Sequence, residues 1–88
     1  MRLVKVVYDR ESDFILNIIE PFKNKCILEV YSMNNRKQIK SGKEILTNLG
    51  TKNLPLITFE DENLELVGAI WSEDNPDWKS EIIKKLKE

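Results

Sequence analysis

The stretch Asn-Leu-Gly-Thr-Lys-Asn-Leu-Pro-Leu-Ile-Thr-Phe, from Asn48 to Phe59, constrains the fold of this chain more than any other. Ile45, Leu46 and Leu49 repeat at helical spacing, and Gly50 follows them where a helix-ending glycine belongs. Glycine is favoured there because the left-handed conformation that closes a helix costs it nothing sterically. Pro55 has no N–H to give to a ladder, so it can open a strand but cannot sit centrally within one. The stretch reads as a helix end, a short loop and a proline at the mouth of an apolar strand.

Composition sets the scale. A chain of 88 residues is expected to form a single domain over 1–88. Such a domain buries roughly 60–65% of its unfolded surface. Net charge is −1 with 33% charged residues, which favours no polyelectrolyte partner, so no nucleic acid is expected. The C-terminal lysines have no interleaved aromatics and are balanced by Glu81 and Glu88. Apolar runs are too short to cross a bilayer, and the basic-then-apolar start, Arg2 to Val7, lacks a cleavage signature, so no membrane association is expected. One cysteine excludes an internal disulfide, and the lack of histidine removes the commonest metal ligand and general base. The acidic run Glu60-Asp61-Glu62 lacks the ligand spacing of a calcium loop. No metal and no cofactor are expected, and a reducing cytoplasm is the expected location.

Taken in order, Leu3–Tyr8 predicts the first strand, and Asp9 to Ser12 a polar turn. Ser12 or Asp13 is the expected cap of a helix whose apolar positions are Phe14, Ile15, Ile18, Ile19 and Phe22. Pro21 should kink or end it. Cys26 to Tyr31 predicts a second strand, with Cys26 buried at its start. A helix is expected from about Lys43 to Leu49, capped by Ser41 or Gly42. Leu56 to Phe59 and Leu64 to Ile70 predict a hairpin joined by an acidic turn. Asp74-Asn75-Pro76-Asp77 should open the last helix, with Trp78, Ile82, Ile83 and Leu86 as its apolar stripe. The order β-α-β-α-β-β-α implies an α/β fold: a parallel pair made through a right-handed crossover, then an antiparallel hairpin, with helices flanking a four-stranded mixed sheet.

That order and the Gly50–Pro55 unit resemble the thioredoxin/glutaredoxin family, whose helix–loop–cis-proline–strand segment has this layout. The resemblance implies a thioredoxin-like fold, strand three beside strand one and a cis peptide before Pro55. It also sets a register. In the family an aromatic ends strand one and a Cys-x-x-Cys opens the first helix, with a kinking proline beyond it. Counting forward from Tyr8 and back from Pro21 both place Asp13-Phe14-Ile15-Leu16 over the Cys-x-x-Cys. Val67-Gly68-Ala69 resembles the Val-Gly-Ala beside the family's active site.

The departures bear on function. Thiol–disulfide exchange needs a thiolate at a helix N-terminus, usually with a resolving thiol nearby, and Asp13 and Leu16 provide neither. No catalytic residue and no enzyme activity are therefore expected. The favoured reading is a redox-inactive module that binds a protein or peptide, a small adaptor or assembly component. The chain's size and residue usage suit a bacterial or phage protein, a virion part included. The alternative is a divergent thiol–disulfide oxidoreductase using Cys26. By the resemblance, the partner site gathers Ser12, Asp13, Asn53, Leu54, Pro55, Gly68 and Trp71 on one surface.

Overall fold

Alternate residues of the first strand point to opposite faces of the sheet, and both faces are covered. The computed structural model describes residues 2–71 and 76–88, Trp71 by its backbone alone. The strands are β1 (Leu3–Tyr8), β2 (Ile27–Ser32), β3 (Leu56–Glu60) and β4 (Leu66–Trp71), in the spatial order β2-β1-β3-β4. β1 and β2 run parallel, while β3 lies antiparallel to both β1 and β4. The helices are α1 (Ile15–Ile19), α2 (Ile39–Leu49) and α3 (Trp78–Lys87). None of the described helices is long and apolar enough to cross a membrane.

One face of the sheet carries Val4, Val6, Ile57 and Phe59, which close onto Ile15 and Ile19 of α1 and Ile82 of α3. Every one of these is at most 3% exposed, so this layer is the core. Burying such a side chain stabilises a fold by roughly 1.5–3 kcal/mol. The opposite face packs under α2 and is more polar. Lys5 Nζ stands 3.5 Å from Glu60 Oε2, an ion pair without hydrogen-bond geometry. The Tyr31 hydroxyl donates to Glu29 Oε2 at 2.5 Å, and that bond, with some burial and the charges of Glu29 and Glu60, pushes the phenol up to about 12.

Several boundaries differ from the sequence reading, each for a local reason. The cap before α1 is neither Ser12 nor Asp13. Asp9 caps a 3-10 turn over Arg10–Ser12, its Oδ1 accepting from Ser12 N at 3.0 Å while Asp9 N donates to Ser12 Oγ at 2.9 Å. Asp13 closes that turn, and α1 starts two residues later, at Ile15, without a side-chain cap. Pro21 does end α1, which passes into a second 3-10 turn, Glu20–Phe22. β2 is an edge strand that begins after Cys26. Cys26 is only half-buried, packed against the rim of the core.

α2 starts at Ile39, well ahead of the expected Lys43, so Ser41 and Gly42 lie inside it. Gln38 precedes the helix, and its side chain turns back to β2: Oε1 accepts from Ser32 N at 2.8 Å and Nε2 donates to Val30 O at 3.3 Å. Gly50 ends α2 with φ +68°, and Thr51 N donates to Leu46 O at 3.1 Å. The Leu54–Pro55 peptide is cis. Leu64 is not in a strand. It sits in the hairpin turn with φ +62°, and β4 begins at Leu66. Asp77 precedes α3, and the expected opening at Asp74-Asn75 lies outside the described residues.

Candidate functional site

The C-terminal end of β1 and the start of β3 face each other at one end of the sheet. From β1 the chain enters the Asp9-capped turn. The turn is tethered sideways by Arg10 N, which donates to Asn34 Oδ1 at 2.8 Å. On the other side, Asn53 N donates to Thr51 Oγ1 at 3.1 Å, fixing the loop before Pro55. Between them lies a cleft of about 410 Å³, walled by Asp9, Glu11, Ser12 and Phe14 on one side and by Lys52, Asn53, Leu54 and Pro55 on the other.

Of the residues expected at a partner site, the fold brings Ser12, Asn53, Leu54 and Pro55 together in this cleft. Asp13 lies in the chain between two wall residues and is exposed. Ser12 is 4% exposed, and its hydroxyl also donates to Asp9 Oδ1 at 2.7 Å. It therefore builds the wall and presents no hydroxyl to a ligand. Trp71 pairs through its backbone with Leu56, next to Pro55, whereas its side chain lies outside the described residues.

Gly68 is the correction. It pairs with Phe59, three residues down β4 from Trp71, and a Cβ there would meet Lys85 Cε of α3 at 3.2 Å. The register of the hairpin decides this: Leu56 opposite Trp71 leaves the Val67-Gly68-Ala69 segment far down the strand. Gly68 allows α3 to approach β4 and takes no part in the cleft.

Phe14 reads in the sequence as part of the first helix's apolar face, yet it is 37% exposed at the cleft wall. Its ring leans on Trp78, centroids 5.6 Å apart and planes 53° from parallel. Lys79 Nζ caps both rings, 5.1 Å from the Phe14 centroid and 5.5 Å from that of Trp78. The adjacency needs α1 and α3 side by side, which periodicity within either helix cannot reveal. The only sequence signal for Asp9 is that aspartate is among the residues favoured before a helical turn.

The chemistry available is modest. The wall charges are Asp9 and Glu11 against Lys52, with Asp13 beside them, so the mouth is acidic. No thiol stands at the first helix. Cys26 lies at the far end of the sheet, in a separate cleft of about 330 Å³ with Arg2, Asp61 and Glu88. Burial pushes the Cys26 thiol up, a shift that the Arg2 charge partly opposes.

No family model and no curated protein matches the sequence. Solved structures do match in shape. A thioredoxin from Thermus thermophilus superposes with a TM-score of 0.62 at 10% identity, over 98% of this chain and 71% of that one. The exposed lipoprotein thioredoxin of Streptococcus pneumoniae gives 0.58 at 12% identity, over 98% and 83%. Thioredoxin f from spinach chloroplast gives 0.55 at 15% identity, over 99% and 77%. The chain thus has the thioredoxin-like fold, built with a single cysteine and without that fold's paired-cysteine active site.

Proposed function

We propose that this chain is a redox-inactive thioredoxin-fold module that acts by binding a protein or peptide, as a small adaptor or assembly component. The observation that carries the reading is a cleft retained between the Asp9 turn and the cis-proline loop, with Asp13 and Leu16 at the first helix and the one thiol at the opposite end of the sheet. An acidic mouth beside the exposed Phe14 suits a basic or N–H-rich peptide carrying an apolar residue. The cytoplasm is the location proposed, or the virion if the protein belongs to a phage; neither a membrane nor nucleic acid is proposed as a partner.

The test has two arms. Insulin or hydroxyethyl disulfide reduction should stay at the level of a Cys26→Ser control, and turnover above that control would restore the oxidoreductase alternative. Partners captured from the native source should then lose affinity for Asp13→Lys, Phe14→Ala and Trp71→Ala variants by about 1 kcal/mol or more each. If all three variants stay folded and bind like the parent, the cleft is not the docking site.

A further inference from the structure

Leu64 is the most exposed of the large apolar side chains described, at 69%. It projects from the β3–β4 turn, and the turn is tightly built. Asp61 Oδ1 accepts from Asn63 N at 2.8 Å and from Glu65 N at 3.0 Å, while Leu64 N donates to Asp61 O at 3.0 Å. The left-handed φ of +62° at Leu64 is one that a bulky residue adopts only under constraint. The result is a fixed apolar knob on a turn whose sequence neighbours include Asp61, Glu62 and Glu65.

At the other end of β3 lies a groove of about 590 Å³ between α2 and the loop before Pro55. Met33, Leu46 and Leu54 supply its apolar lining, and its charged lining residues, Lys43 and Lys52, are both exposed and both positive. Knob and groove are therefore complementary in polarity and in charge. We propose that the chain self-associates head to tail, Leu64 of one copy seating among Met33, Leu46 and Leu54 of the next while Lys43 and Lys52 meet the acidic turn. β3 spans roughly 16 Å between the two features, so no chain can fill its own groove. Made head to tail and repeated from copy to copy, the contact extends into rows or rings. This goes beyond the docking cleft, with which the groove shares only Lys52 and Leu54.

Sedimentation velocity over a concentration series up to about 1 mM reads the outcome. The parent chain should reach a weight-average mass at least about twofold that of the monomer, falling as salt is added. Leu64→Asn, and separately Lys43→Glu with Lys52→Glu, should each sediment as monomer with an unchanged circular-dichroism spectrum. An equimolar mixture of those two variants should give a 1:1 dimer that grows no further, because it pairs the one intact knob with the one intact groove. A parent that stays monomeric across the series, variants that associate like the parent, or a mixture that forms no such dimer would each overturn the proposal. Leu64→Asn leaves every wall residue of the cleft in place, so a failure read through that variant is separable from a failure of the cleft.

Discussion

Gly42 of α2 stands beneath Met33: a Cβ added at Gly42 would lie 2.6 Å from the Met33 sulfur and 3.3 Å from Val7 Cγ1. The helix can lie this close to the sheet only because that position has no side chain. Alanine in a helix interior normally gains about 1 kcal/mol over glycine. Overpacking against a buried valine and a thioether costs about 1–3 kcal/mol. Gly42→Ala should therefore destabilise by about 1 kcal/mol in urea unfolding, and in a Met33→Ala background the same change should become neutral or stabilising. Equal effects in both backgrounds would mean that Met33 is not what limits the approach.

Leu64→Asn should raise stability by about 0.5–1 kcal/mol, because asparagine tolerates the left-handed region that leucine resists. The side chain is exposed, so little apolar burial is lost within one chain. The reading is the unfolding midpoint at a protein concentration low enough to keep the chain monomeric. A fall in stability would show that Leu64 packs on something within its own chain.

Tyr31 sets an alkaline limit. Its folded pKa, raised from 10.0 to about 12, means that the folded state holds the phenolic proton more tightly than the unfolded state. Stability from the Glu29 contact is thus fully present below pH 10 and is lost as pH climbs toward about 12. Absorbance titration should show a late phenolate step that Tyr31→Phe deletes, and Glu29→Gln should bring that step to lower pH. No movement in Glu29→Gln would remove Glu29 as the cause.

Cys26 is half-buried and its thiol is pushed up by burial, so maleimide should modify it more slowly at neutral pH than a free cysteine, and the rate should rise with pH. Arg2 works in the opposite direction, so Arg2→Gln should shift the rate profile to still higher pH. Arg2 also donates to Lys85 O at 2.8 Å near the end of α3, so the variant's unfolding midpoint has to be measured beside the rate. A profile unmoved by Arg2→Gln would exclude Arg2 as the counter-charge.

What the sequence revealed follows the range of each signal. The β-rich apolar run Leu3–Tyr8, the glycine stop at Gly50 and the proline opening before Leu56 are all local, and element order then leaves few topologies. The early start of α2 was hidden, because Gly42 reads as a cap until the approach of Met33 explains a glycine inside a helix. Cys26 read as the buried start of a strand because apolar residues follow it, yet sheet order depends on pairing between distant segments and put β2 at the edge. Within the site, the loop before Pro55 and the turn at Ser12 were legible from spacing. The removal of Gly68 from the cleft was not, since it hangs on hairpin register, including a shift between Phe59 and Glu60.

Gln38 has a consequence for how this sheet can grow. Ile27 N donates to Arg2 O and Met33 N to Tyr8 O, so the odd-numbered residues of β2 face β1 and the even-numbered ones face outward. Val30 O and Ser32 N are thus outward groups, and the Gln38 amide meets them as a neighbouring strand's peptide would, accepting from one and donating to the other. A single side chain acts as one rung of a missing fifth strand. A foreign strand approaching that margin would first have to displace it, whereas β4 meets the opposite margin with the uncharged run Leu-Val-Gly-Ala-Ile-Trp. The sheet is therefore stoppered at its β2 margin.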